Sequence, residues 1–505
     1  MESIVIKAFF NKKFYLLLFL FLTGIYPVLC AENNRNIYLD SPYYSYLDYL
    51  INSGQYIPEF VLQQPLHLEN LDSLNLAGAG NYYTTYWETF YTTKLLSGQL
   101  NLQDQLRWAN TAVNRFRASG SIHMITPHAV FANRTTFDQD YKYDPNYAGD
   151  LSESKNWLYG RVNDAYMQIS YHGLGLFIGR MQRNWGPVNE MSLILSAYPY
   201  SYDHFLLYYQ YKKIRFSLIF ARLEDLEAEY LASKKDTLVS HIESARKFLI
   251  GHRFDIMFSR KLQIALTEMA TYGGEDRSLE FEFLNPMNFY YGIQRNDGKQ
   301  MNGLWALDLF FKPFNRISMY GQILIDDYIV NNEPGTDDRA QYPDRLALLF
   351  SVRSGDLGLQ GLNTSLGYVR VWNRTYQSIR TYENYHYRGL GLGYACAGCE
   401  EIKINLSYWN LFPWVIENEF IYGRYGNVRL TDLFMLNKEN FPIAPVTHNI
   451  YNQVTFHFYP SRRTSVWLQG LYIKEKNYYL NRIDPFTGLA IRFGVQAMLS
   501  GGFAL

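Results

Sequence analysis

Along most of the chain, apolar and polar residues alternate with a period of two. In "EIKINLSYW", Ile402, Ile404, Leu406 and Tyr408 share one face, while Lys403, Asn405 and Ser407 share the other. "QVTFHFY" sets Val454, Phe456 and Phe458 against Gln453, Thr455 and His457. "RISMYGQILID" sets Ile317, Met319, Ile323 and Ile325 against Ser318 and Gln322. Side chains on a strand point alternately to its two faces, so each stretch predicts a strand with one apolar and one polar side. Turn-forming clusters separate such stretches, as in "NDGK" at 296–299, "NNEPGTDD" at 331–338 and "RIDPFTG" at 482–488. No repeat of fixed period is visible, which disfavours a propeller or a solenoid.

The pattern differs before about residue 118. Asp40-Ser41-Pro42 forms a plausible helix cap with proline at the first helical position. Tyr43, Leu47, Leu50 and Ile51 follow at helical spacing, and Gly54 stops the run. Leu102, Leu106, Ala109, Val113 and Phe116 step by four and three, which draws one stripe down a helix. Residues 32–117 are therefore expected to be helical and residues 118–505 to be strands.

Ahead of both lies a leader-like segment. Lys7, Lys12 and Lys13 precede the short apolar run Phe14 to Leu22, and "PVLCA" at Pro27 to Ala31 offers cleavage after Cys30 or Ala31. This predicts a signal peptide over residues 1–31. A retained anchor and lipidation at Cys30 are the alternatives, the second disfavoured by the bulky Leu29. No later run approaches the roughly 18 apolar residues of a spanning helix. An exported chain of this kind is either a soluble β-protein or a membrane barrel, whose alternating strands escape hydropathy averaging.

Composition favours the barrel. Charged residues are only 19% of the 505, against about 25% in ordinary soluble domains. Aromatic residues reach 17%, with 45 tyrosines, and such side chains suit surfaces that are apolar at one end and wet at the other. Basic and acidic residues balance at 47 each, which removes the usual electrostatic case for a nucleic-acid partner. About 390 residues at roughly 20 per strand and turn gives on the order of 16 to 20 strands, enough for one large outer-membrane barrel. In the last strand Ile491, Phe493, Val495, Ala497 and Leu499 share a face, and the parity runs on through Phe503 to Leu505. This resembles the terminal signal that barrels present to their assembly machinery, with the aromatic two places before the end.

Catalytic constellations are missing from the sequence. It holds no convincing Ser/His/acid set, no H-E-x-x-H, no phosphate loop and no dinucleotide fingerprint. His252 in "IGHRFDI" and the pair Asp326 and Asp327 in "LIDDY" read as structural or solvated groups. Cys396 and Cys399 in "CAGC" form a weak metal site, and a disulfide or a plain turn is the better reading. No cofactor or metal is expected.

Two polar and aromatic clusters near turns do stand out. One contains Arg180, Arg183, Trp185 and Asn189. The other contains Glu268, Tyr272, Glu275 and Arg277, followed by Asn285 and Asn288. Aromatic faces stack on sugar rings, amides bond to hydroxyls, and arginine meets acidic sugars with a planar fork. Polysaccharide binding by Arg180, Arg183, Trp185, Asn189, Tyr272, Glu275 and Arg277 is the functional reading. The competing readings are an interface girdle and an ordinary lumen lining.

At these segments the chain resembles the capsule assembly protein Wzi family. The resemblance rests on "GRMQRNWGPVNEMSLILS", "GHRFDI", "EMATYGGEDR" and "LNPMNF", with "IYLDSPYYSYLDYLINSG" similar to the helical start of family members. It implies an eighteen-stranded outer-membrane barrel with a small helical part on the periplasmic side. It also implies a lectin-like, non-enzymatic role in attaching capsular polysaccharide. Gly186, Pro187, Gly273 and Gly274 carry over as structural motif positions. Val188 stands where the family turn commonly has a second glycine. The expected partners are surface polysaccharide, outer-membrane lipid and the barrel-assembly machinery, with the protein a monomer in the outer membrane. A porin-like diffusion channel is the main alternative, ahead of an outer-membrane hydrolase or acyltransferase.

Overall fold

In the computed structural model, the described residues are 36, 39, 43–66, 96–109, 112–126, 128–147, 159–227, 243–327, 343–436, 439–461, 463–477, 479–480 and 486–503. The leader, the Asp40-Ser41-Pro42 cap and Leu505 lie outside them.

Eighteen strands form one closed antiparallel sheet. The first nine are β1 (Leu96–Trp108), β2 (Ala112–Ile125), β3 (Ala129–Asp138), β4 (Tyr159–Tyr171), β5 (Leu174–Met181), β6 (Tyr202–Tyr211), β7 (Ile214–Glu227), β8 (Ser244–Ser259) and β9 (Leu262–Gly274). The ring continues through β10 (Asn302–Phe314), β11 (Ile317–Asp327), β12 (Arg345–Gly355) and β13 (Leu362–Val371). A two-residue hairpin, β14 (His386–Tyr387) and β15 (Leu390–Gly391), stands apart from it. The wall resumes with β16 (Cys399–Tyr408), β17 (Trp414–Tyr425), β18 (Thr447–Ser461), β19 (Thr464–Ile473) and β20 (Gly488–Phe503). Each wall strand pairs with its neighbours in the ring, and β20 closes on β1 from Leu96↔Phe503 to Trp108↔Ile491. Closure removes the free edges that would otherwise expose unpaired backbone.

The sequence alternation maps directly onto the wall. Ile402, Leu406, Ile323, Ile325, Phe456, Phe493 and Leu499 are exposed on the outer face. Their neighbours Ser318, Gln322, Ser407 and Thr455 are buried inside. Tyr171, Tyr209, Tyr211, Phe258, Phe314 and Trp414, all exposed, crowd the ends of their strands at the short turns and form an aromatic girdle. Two-residue turns such as His172-Gly173 (φ 48° and 82°) sit at that end, and left-handed dihedrals of this kind match the twist of the flanking strands. Long connections gather at the opposite end, including 182–201, 275–301 and 372–398. Barrel rules place long loops outside and short turns in the periplasm.

The helical expectation for residues 32–117 needs correction. Among the described residues of this region, helix α1 covers Tyr43–Ser53, and Gly54 (φ 80°) ends it as expected, while 67–95 lie outside the described residues. Residues 96–108 and 112–117 belong to β1 and β2, so the first described wall strand starts at Leu96 rather than at 118. A spacing of four fits a strand face as well as a helix face. Leu96, Leu100, Leu102 and Leu106 occupy even positions of one strand, with Gln99, Asn101, Gln103, Gln105 and Arg107 between them. The stripe from Leu102 to Phe116 also crosses the β1–β2 turn, so its last members lie on a different strand.

Helix α1 lies inside the short-turn end of the barrel. Asn52 bonds to Asn363 on β13 (3.0 Å) and accepts from Ser318 on β11 (2.8 Å). Lys312 on β10 donates to the Asn52 carbonyl (2.9 Å). From there residues 54–66 run through the lumen without regular secondary structure. Gln263 on β9 accepts from Val61 N (3.0 Å), and Arg253 on β8 donates to the Leu62 carbonyl (3.4 Å). Gln63 reaches Ser217 on β7 (3.1 Å) and Asp255 on β8.

Candidate functional site

Two long loops fold inward to meet this segment. Loop 182–201 follows β5, whose final stretch passes through Gly179 while still paired with β4 and β6. Gly179 has φ 134°, and a Cβ there would lie 2.2 Å from the Ala165 carbonyl oxygen. Gly179→Ala is therefore expected to lower unfolding stability by about 1–3 kcal/mol or more. Urea titration of the folded barrel measures this, with Gly298→Ala, whose Cβ would meet nothing within 4 Å, as the milder control.

The chain then enters the lumen. Asn184 and Gln64 exchange backbone hydrogen bonds (2.8 and 3.3 Å), joining this loop to the N-terminal segment. The Asn184 amide donates to the Glu190 carbonyl (2.9 Å) and its oxygen accepts from Ser192 N (3.1 Å), which holds the turn at Gly186-Pro187 closed. Trp185 is 1% exposed, and its backbone N–H donates to the Leu195 carbonyl (2.7 Å). The Arg253 guanidinium lies 5.7 Å from the Trp185 ring. "MSLILS", apolar without a strand period, fills the centre of the barrel. Leu193, Ile194 and Leu195 are fully buried, and Gln322 on β11 accepts from Leu193 N (2.6 Å).

Loop 372–398 clamps it from the other side. Tyr376 and Tyr385 donate to the Leu193 and Ile194 carbonyls (2.6 and 2.7 Å), and Ser196 N donates to the Leu392 carbonyl (2.8 Å). Burial pushes both tyrosine hydroxyls well above their ordinary values, which keeps them neutral donors. Cys396 and Cys399 are disulfide-bonded at the end of this loop, with Gly398 at φ 60° between them. Loop 182–201 and α1 meet at Arg353 on β12. It bonds to Asp48 of α1 (3.1 Å), to the Val188 carbonyl (2.8 Å) and to Glu190 of loop 182–201 (2.7 Å). A second buried cation, Arg253, meets Asp255 and Asp308 at 3.0 Å each. N-terminal segment and inward loops together plug the lumen.

Two neighbouring cavities lie above and beside the plug. One, of about 580 Å³, opens among the long loops. Tyr198, Tyr425 and Tyr479, the amides Asn146, Asn427 and Asn477, and the cations Arg429 and Lys476 line it, together with backbone at Gly426 and Thr431. Among the described residues, no carboxylate lines it. The Tyr425 and Tyr479 rings stack at 6.0 Å with 24° between planes. Burial raises the Tyr479 hydroxyl above its ordinary value. Below it, a cavity of about 600 Å³ shares Tyr198 and Tyr479 and is lined by Asn184, Asn189, Glu190 and the wall residues Gln105, Arg107 and Arg492. Stacked tyrosines beside amides and cations supply apolar faces and hydroxyl partners in one recess, the arrangement that suits a sugar.

The seven residues expected to bind polysaccharide do not come together. Trp185 and Arg183 are packing and anchoring groups of the plug. Arg183 stacks on Phe177 (4.3 Å) and donates to His204 Nε2 (2.6 Å), and burial pushes its guanidinium down to about 10. Arg180 pairs with Asp203 on the outer wall. Asn189, at φ 56°, lines the inner cavity. Tyr272 is fully buried between Phe248 and Phe283, Arg277 pairs with Glu280 (2.7 Å), and Glu275 is exposed; all three belong to the outside of the wall. A Cβ on Gly273 would lie 2.4 Å from the Arg246 carbonyl oxygen and 3.3 Å from the Tyr382 ring of loop 372–398, and Gly274 has φ 134°. The mouth residues escaped the sequence reading because they come from separate loops. The signal that could have found them is tyrosine and asparagine beside lone cations in "RYGNVRL" and "KNYYLN". Among the described residues, no group of three His, Cys, Asp or Glu side chains is placed to hold a metal ion.

The chain's likeness to known proteins agrees with this architecture. The family model for capsule assembly protein Wzi matches residues 113–337. The solved structure of Wzi, an outer-membrane protein involved in group 1 capsule assembly in Escherichia coli and a carbohydrate-binding β-barrel, aligns with a TM-score of 0.63 at 15% identity. That alignment covers 93% of this chain and 100% of the Wzi chain. The outer-membrane proteins OpdK and OprD from Pseudomonas aeruginosa align less closely, with TM-scores of 0.46 and 0.43 at 12% and 11% identity. They cover 80% of this chain and 99% and 94% of their own. No curated protein matches the chain in sequence. The resemblance to the Wzi family expected from the motifs is thus met in sequence and in fold.

Proposed function

We propose that this outer-membrane barrel binds surface polysaccharide at its extracellular mouth and assists its attachment or assembly, as a lectin-like protein without catalytic activity. The observation that carries the reading is the mouth cavity, with its stacked Tyr425 and Tyr479, amides and cations, lying over a filled lumen. The likeness to the carbohydrate-binding Wzi barrel supports it. A porin-like channel needs a continuous aqueous path, and here α1, residues 54–66 and two inward loops occupy that path. The segment over residues 1–31 serves as the export signal, and the barrel works as a monomer assembled through its last strand.

The two cations Arg429 and Lys476 in the lining favour an acidic polysaccharide. Arg429→Ala and Lys476→Ala are each expected to weaken binding of the cell's own acidic polysaccharide by roughly tenfold or more, since hydrogen bonds to charged groups contribute about 1.5–3 kcal/mol. They should also flatten its dependence on salt. Tyr479→Ala is expected to lower affinity without changing that dependence. Binding to immobilised polysaccharide, with the folded barrel verified by its heat-modifiable gel mobility, checks all three. Unaltered binding in the triple variant overturns the reading.

A further inference from the structure

The loop that carries Glu275, Arg277, Asn285 and Asn288 lies on the outside of the barrel. It forms two short helices, α2 (Phe281–Leu284) and α3 (Tyr290–Asn296), packed over the upper outer face of β8 to β10. Phe283, Tyr290 and Ile293 of these helices bury the outward-facing Phe248, Ile250 and Tyr272. Lower on the same strands, the outward-facing Phe254, Leu266 and Leu307 are exposed, as lipid-facing residues are. The loop also covers a polar pair that would otherwise face lipid. His252 and Glu268, opposite each other on β8 and β9, approach to 3.1 Å, and Tyr291 N donates to Glu268 (3.2 Å).

Having buried one side, the loop presents a second apolar side outward. Phe281 is 85% exposed, Met287 83%, Phe289 60% and Tyr291 55%. Phe289 stacks on Trp305 of the outer wall at 5.9 Å, so this side is continuous with the lipid belt. Its height follows from strand geometry. A tilted strand crosses the hydrocarbon in about 9–11 residues. Phe258 stands in the girdle at the short-turn end, and Phe248, beneath the loop, is ten positions up β8. The loop therefore sits at the outer membrane–water boundary, where aromatic residues complete the second girdle.

We propose that loop 275–301 is a membrane-interface foot, its Phe281, Met287, Phe289 and Tyr291 side docked among the lipids of the outer leaflet. Acyl chains cover these side chains, and the Lys299 bridges to Glu280 and Glu282 stay at the headgroup level. The foot shields the His252–Glu268 pair from hydrocarbon and fixes the rim of β8 to β10 at the membrane surface.

The test places a nitroxide on the full-length barrel, in phosphatidylcholine vesicles, at Met287→Cys and separately at Phe281→Cys. Labels at Leu307→Cys and Glu275→Cys serve as lipid and water references. Both foot positions are surface-exposed, so the fold tolerates the label. The expected result is that collisions with oxygen exceed those with a water-soluble nickel chelate at 287 and 281, as at 307, with the order reversed at 275. Nickel accessibility at 287 and 281 equal to that at 275 overturns the proposal. So does spin–spin broadening at 287, which assigns the face to a second copy of the chain.

Discussion

Replacing Arg353 by methionine is expected to release the N-terminal plug and the inward loop together. The guanidinium is the only described group bonded to both Asp48 of α1 and Glu190 of loop 182–201, and it also holds the Val188 carbonyl. Removing one member of a buried, hydrogen-bonded ion cluster costs about 3–5 kcal/mol, because the remaining charges stay buried without compensation. The strands retain their closed ladder, so the loss falls on the plug. In planar bilayers the parent barrel is expected to stay closed, while Arg353→Met shows frequent open events. The defect depends on pH. Burial already pushes the Asp48 carboxyl above its ordinary value, against the pull of Arg353 and Asn363. A carboxyl raised in the folded state contributes its stability below the unfolded pKa and loses it as pH rises through the folded one. Without Arg353 the Asp48 pKa rises further, so the open events are most frequent at neutral pH and decline as the solution is acidified through the Asp48 titration. Adding Glu190→Gln to Arg353→Met removes one of the stranded charges and restores part of the closure.

Trp185→Ala is the second large effect. The side chain is 1% exposed at the centre of the plug, among residues from the N-terminal segment and two loops. Truncating a buried tryptophan costs about 3–5 kcal/mol through lost burial and the cavity left behind. No wall strand depends on it, so the barrel is expected to assemble with normal gel mobility. The cost appears as faster amide hydrogen exchange across residues 182–201 and 54–66. Glycan binding at the mouth falls only as far as Tyr198, on the same loop, loses its position. A variant that fails to assemble would make the W-G-P turn part of the barrel's folding nucleus instead of its plug.

The wall was legible in the sequence wherever a strand carries strict alternation, as at 402–408, 453–458 and 491–499. There one face meets lipid and the other meets polar lumen, so the two faces select different residues at every step. The start of the barrel was not legible. Leucines spaced by four serve either period, and only the intervening polar residues of β1 distinguish them. The plug was hidden for a different reason. "MSLILS" is apolar all round because loops surround it on every side, and such a run carries no direction. The second cluster of aromatic and charged residues, around Tyr272 and Arg277, has the composition of a sugar site, yet it builds a cover on the outer wall. Composition alone does not distinguish a recess facing sugar from a surface facing the membrane boundary. The mouth itself joins residues more than 200 positions apart, from Asn146 to Lys476, and only the closed ring brings them together.

The most direct test of a polysaccharide-binding mouth over a plugged barrel is amide hydrogen exchange of the reconstituted protein, with and without the cell's own surface polysaccharide. The account predicts added protection at residues 426–431 and 474–477, with the wall strands and loop 275–301 unchanged. Protection that spares the mouth, or none at saturating polysaccharide, would contradict it.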